Sequence, residues 1–163
     1  MKKIAVILAV LLFTGCGIAM KMRSVPEIAH VGNEFFTAEI TPMQGLFGYD
    51  SFALDIQGKT DSNIEIDWNK TLFISNGQTS GSFMFEGIVY KDRNNPKTPD
   101  IIFGKSRFVK RIWPNNLVDY NSGKYNSGWV NRRLPSGDTG VYLTVKTPAG
   151  EKNEKIILNI QYE

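Results

Sequence analysis

One cysteine and one histidine are present in 163 residues, and no apolar run reaches the ~20 residues that a membrane-spanning helix requires. Each scarcity removes a class of function. A lone cysteine closes no intrachain disulfide, so a fold in an oxidising compartment must rest on core packing. The lone histidine, His30, lies in a stretch without clear periodicity. A Ser-His-Asp or Cys-His arrangement needs its histidine inside a folded site, and a zinc site needs several such ligands. The chain also lacks a Gly-rich phosphate loop, a CxxC pair and a nucleotide signature, so no cofactor or metal is called for.

Charge of one sign is scarce as well. The formal net charge is +3, but Lys2 and Lys3 stand at the extreme N-terminus. Beyond residue 15 there are 17 basic residues against 16 acidic ones. Near-neutrality excludes a nucleic-acid partner bound by a general electrostatic footprint.

What is present begins with Met1-Lys2-Lys3 and an uncharged run from Ile4 to Phe13. A short basic region followed by ten apolar residues reads as a secretory signal peptide, too short to remain as a span. The segment closes on Phe13-Thr14-Gly15-Cys16, which resembles the lipobox of bacterial lipoproteins, with Phe13 where leucine is commonest. The resemblance implies that Cys16 carries a diacylglycerol, that residues 1–15 are removed, and that the new N-terminus is acylated. Several acyl chains on one residue hold a domain at a membrane essentially permanently, at about 0.8 kcal/mol per buried CH₂. Glycine at position 17, rather than aspartate, implies the outer membrane, with the domain facing the periplasm.

Residues 16–33 read as the lipidated N-terminus and a tether that lets the domain stand off the lipid. From Glu34 the pattern becomes that of short strands. Phe52, Leu54 and Ile56 alternate with polar residues; so do Ile64, Ile66 and Trp68, and Val141, Leu143 and Val145. Asn76-Gly77 is a hairpin turn signal, since both residues tolerate positive φ. About seven to nine such strands, with no helical stretch of three turns, predict an all-β antiparallel sandwich over residues 34–163. An immunoglobulin-like arrangement suits that number of strands. The stretch "FALDIQGKTDSNIEIDW" resembles the paired early strands of small bacterial Ig-like lipoprotein domains. Trp68, Trp113, Phe83 and Phe85 are expected in the core.

Candidate chemistry is sparse. Asp55, Glu65 and Asp67 alternate with apolar residues and so belong to the wet face of their strands, while Glu86, inside "FMFEGIVY", is expected to be half-buried. The loop "DRNNPKTPD" offers oxygen ligands but not the spacing of a calcium loop. Lys105, Arg107, Lys110 and Arg111 suggest a strand edge guarded by cations, or a surface for phosphate or an acidic glycan. The most informative segment is "NNLVDYNSGKYNSGWVNRRLPSGD", read as a long polar connection. Tyr120, Tyr125 and Trp129 stand there among Asn, Ser and Gly, with Arg132 and Arg133 behind them. Aromatics supply contact area and small polar residues adapt, as at binding surfaces. Two readings of it stay open: a surface for an envelope protein or a glycan such as peptidoglycan, or aromatics folded back over one end of the sandwich. The expectation is a non-enzymatic, membrane-anchored interaction module, with glycan binding as the alternative and carboxylate-based catalysis third.

Overall fold

The computed structural model describes residues 21–124 and 127–163. Cys16 and the signal segment therefore lie outside the described residues, as does Tyr125.

Two antiparallel sheets face each other. One is built on the hairpin of β13 (Gly137–Thr147) and β14 (Gly150–Tyr162), flanked by β1 (Met22–Val25) beside β14. On the other side of β13 lie β5 (Ile64–Ile66) and β6 (Leu72–Ser75), with β9 (Asp100–Ile102) on β5 and β7 (Gln78–Thr79) on β6. The second sheet runs β2 (Ala29–Gly32), β3 (Phe36–Gly45), β4 (Gly48–Gly58), β10 (Arg107–Pro114) and β8 (Phe83–Met84). A separate ribbon of β11 (Val118–Ser122) and β12 (Ser127–Asn131) completes the described fold.

Period-2 alternation explains the layers. Phe36, Ala38 and Ile40 on β3 and Phe52, Leu54 and Ile56 on β4 are fully buried from one sheet. Val141, Leu143 and Val145 on β13 and Ile156, Leu158 and Ile160 on β14 meet them from the other. Trp68 and Phe83 are buried with them, Phe85 packs at the margin, and Trp113 belongs to a smaller cluster with Met84 and Val118. Asn76 (φ 49°) and Gly77 (φ 78°) form the expected tight turn between β6 and β7. Both residues need positive φ, which is why this dipeptide fits.

The expected tether is corrected. Residues 22–25 pair with β14, from Met22↔Tyr162 to Val25↔Asn159, and residues 29–32 pair with β3. The chain thus steps from one sheet to the other around Pro26, and the domain begins at least a dozen residues before Glu34. Strands of four residues split by a proline carry too little alternation to register as a pattern. The strand count also exceeds seven to nine, because several strands are only two to four residues long and "NNLVDY…NRR" is a hairpin, not a structureless connection. "IIFGKSRFVKRIW" is a broken pair, β9 and β10, and "SFMFEGIVY" contributes only Phe83–Met84 as strand before a 3₁₀ turn at Tyr90–Asp92.

Candidate functional site

Of the sequence-predicted surface, the β11–β12 ribbon carries Tyr120 and Trp129. Tyr120 and Trp129 are directly opposed across it, so their side chains share one face. That face turns toward the body. Trp129 is half-buried, edge-on to Trp113 with ring centroids 6.0 Å apart. Tyr120 stacks on Tyr90 at 5.6 Å yet remains 50% exposed, and Arg93 covers Tyr90 at 4.1 Å from its centroid. The aromatics therefore fasten the ribbon to the sandwich, and Tyr120 keeps an accessible half. Beneath them the Trp113 indole N–H is buried with no hydrogen-bond partner among the described residues.

The base of the ribbon is held by a buried polar group. Arg111 donates through Nη2 to Asp50 Oδ1 (3.0 Å) and through Nε to Ser51 Oγ (2.8 Å). Ser51 donates to Asp50 Oδ1 (2.6 Å), and Asn131 at the end of β12 donates to Asp50 Oδ2 (3.3 Å). Asp50 can take this role because the ladder slips between Met43↔Ser51 and Gln44↔Tyr49, leaving Asp50 as the extra residue of a bulge.

Arg132 and Arg133 follow the ribbon and are exposed. Arg132 pairs with Asp119 (3.0 Å) and donates to the Asn116 carbonyl (2.8 Å). The Arg133 guanidinium lies 4.7 Å from the Tyr162 ring centroid. Both border an open groove of about 850 Å³, with Val130 on one side and Leu46 and Phe47 on the other. Leu46-Phe47 is not among the sequence-predicted surface residues. Their signal is that two large apolar residues occupy the two positions between Gly45 and Gly48, where a turn ordinarily carries polar residues.

The remaining candidates disperse. Arg107 donates through Nε to Asp55 (3.0 Å), Lys105 pairs with Asp61 (2.7 Å), and Lys110 pairs with Asp100, which also accepts from the Trp68 indole (2.8 Å). The basic stretch is thus neutralised strand by strand. β10 has β4 along one side and only two residues of β8 on the other, which fits a cation-guarded edge. Glu65 pairs with Lys146 (2.7 Å). Glu86 is exposed in a turn, not half-buried as its apolar neighbours suggested. In the Asp92–Asp100 loop the Lys97 ammonium donates to the Arg93 carbonyl (2.9 Å), and burial pushes its pKa down. His30 is exposed on β2, opposite Glu39. Among the described residues no three His, Asp or Glu side chains converge on a common point, and no helix is long and apolar enough to cross a membrane.

Comparison of the chain with protein-family models, curated proteins and solved structures gives no match.

Proposed function

We propose that the protein is a lipid-anchored envelope protein, attached through Cys16 at the outer membrane and facing the periplasm, whose β11–β12 ribbon docks on an envelope protein or assembly. It acts by binding and carries out no catalysis. The observation that carries this reading is the ribbon itself. It belongs to neither sheet, and an isolated two-stranded hairpin is marginal in water. Here it is held at its base by Asn131 and Val118 and at mid-length by Trp129 and the Tyr120–Tyr90 stack, while Asp119, Asn121, Ser122 and the outer half of Tyr120 are exposed. An exposed, Tyr-, Asn- and Ser-bearing element anchored on a rigid scaffold suits partner recognition. Glycan binding is supported less, because stacking on a sugar needs an open ring face, whereas Trp129 is half-buried, edge-on to Trp113.

The strand order supports an immunoglobulin-like reading of the sandwich. β3, β4, β10 and β8 follow one another in one sheet and β5, β13 and β14 in the other. That is the order ABED and CFG of a seven-stranded constant-type domain. The fold contributes nothing to the choice of partner.

Co-purification from intact membranes tests the functional reading, with the native chain beside Cys16→Ser and Trp129→Ala. The expected result is one envelope protein recovered with the native chain and lost with Trp129→Ala, while Cys16→Ser releases the protein from the membrane. Recovery of peptidoglycan or polysaccharide alone would replace the reading with the glycan one.

A further inference from the structure

Two apolar tips stand at opposite ends of β4. At its start, Leu46 and Phe47 are 87% and 68% exposed. At its far end, Gly58 lies against the Phe103 and Lys105 backbone, and Phe103 is 68% exposed. Ten residue steps at ~3.3 Å place the two about 33 Å apart. A pair of large apolar side chains at a hairpin tip is the kind of exposure that a soluble surface ordinarily avoids.

The chain's N-terminal side distinguishes the two ends. Met22 pairs with Tyr162 and lines the same groove as Leu46 and Phe47. Gly48, at φ 135°, is packed so closely on Tyr162 that a Cβ there would lie 2.8 Å from the ring. The Tyr162 hydroxyl donates to the Leu134 carbonyl at 2.9 Å. Lys21, where the described chain begins, is therefore at the Leu46-Phe47 end. Five residue steps separate Lys21 from Cys16, so even fully extended they reach at most ~18 Å.

We propose that the Leu46-Phe47 tip inserts into the surface of the membrane that holds Cys16, so that the domain lies against the lipid in one orientation instead of swinging on a tether. The inference rests on lipidation of Cys16. Charge supports the choice of a lipid surface as occupant: Lys21, Arg23, Arg132 and Arg133 surround this end, against Glu163, which pairs with Lys21, and Asp119, which pairs with Arg132. Guanidinium and ammonium groups beside exposed Leu and Phe match phosphate headgroups above acyl chains. The orientation also places the ribbon usefully. Its base, Val130 and Asn131, borders the groove, and its far end at Ser122↔Ser127 lies about 13 Å along the strands.

The test uses purified full-length lipoprotein in vesicles of phosphatidylethanolamine and phosphatidylglycerol. Acylation consumes the Cys16 thiol, so Leu46→Cys or Phe103→Cys each supplies one site for a nitroxide label. Collision with oxygen, which partitions into acyl chains, is compared with collision with a water-soluble nickel complex. The expected result is that the Leu46 label shifts toward oxygen on vesicle insertion while the Phe103 label stays in water. Mass spectrometry of the N-terminal peptide reports Cys16 separately. Lipid on Cys16 with the Leu46 label in water, or shielded from both reagents by a second copy, overturns the insertion and leaves the anchor standing. An unmodified Cys16 overturns both.

Discussion

Arg111 on β10 holds Asp50 on β4 by a 3.0 Å hydrogen bond from Nη2 to Oδ1, and Asn131 of the ribbon reaches the other oxygen of the same carboxylate. One buried acid thus joins the second sheet to the ribbon. The carboxylate is nearly enclosed, whereas the guanidinium side chain is 39% exposed, so solvent takes part of the load when the pair is broken.

Arg111→Ala is expected to lower stability by about 2 kcal/mol, below the 3–5 kcal/mol of a fully buried pair. Urea denaturation measures it. The double variant with Asp50→Ala should lose clearly less than the sum of the single changes, because removing both partners leaves no stranded charge. Additive losses would show that the pair is not coupled.

Trp129→Ala is expected to release the ribbon without unfolding the sandwich. Trp129 is half-buried against Trp113, so the global loss should be about 1–2 kcal/mol, under the 3–5 kcal/mol of a fully buried tryptophan. Amide hydrogen exchange should accelerate in Val118–Ser122 and Ser127–Asn131 while β4 and β13 keep their protection. Uniform acceleration throughout would mean that the ribbon is an integral part of the fold.

Asp100→Ala leaves the buried Trp68 indole N–H without its acceptor and the Lys110 ammonium without its anion. The expected cost is about 2 kcal/mol, from the lost indole bond and the partly buried cation. Asp100→Asn, which keeps an oxygen for the indole, should recover part of it. Thermal unfolding of the two variants distinguishes the contributions.

Burial pushes the Tyr162 phenol up from its ordinary value, with Arg133 opposing the shift. A raised folded pKa means that above the unfolded value near 10 the native state holds more protons than the unfolded one. Stability from this group is therefore fully present below about pH 10 and lost as pH rises through the folded pKa. Tyr162→Phe should be somewhat less stable at neutral pH, having lost its bond to Leu134, and should lose less than the native chain between neutral and alkaline pH. Equal alkaline losses would assign the dependence to other groups.

Wherever alternation persisted, the sequence was a sufficient guide. Phe52, Leu54 and Ile56, or Val141, Leu143 and Val145, face the core because strand side chains alternate over enough residues to be counted. Met22–Val25 and Ala29–Gly32 were illegible for the opposite reason: four residues give two inward positions each, and Pro26 interrupts them. Asp50 was illegible because its role depends on a ladder slip opposite Met43 and Gln44. The ribbon was half legible. Tyr120 and Trp129 stand out in the sequence of this segment, but their opposition across two strands, and Trp113 beneath them, are long-range facts. Leu46-Phe47 is an apolar pair whose exposure depends on the turn between Gly45 and Gly48, which places it at a hairpin tip. Neutralisation of Arg107 by Asp55, 52 residues away, likewise depends on register alone.

Whether the ribbon meets a protein partner is tested by site-specific photo-crosslinking in intact cells, with the reactive group in place of Asn121 on the ribbon or Val109 on β10, both exposed. A single protein adduct is expected from position 121, abolished by Trp129→Ala, and none from position 109. Adducts from position 109 alone, or only glycan adducts from position 121, would contradict the ribbon as the surface that meets a protein partner.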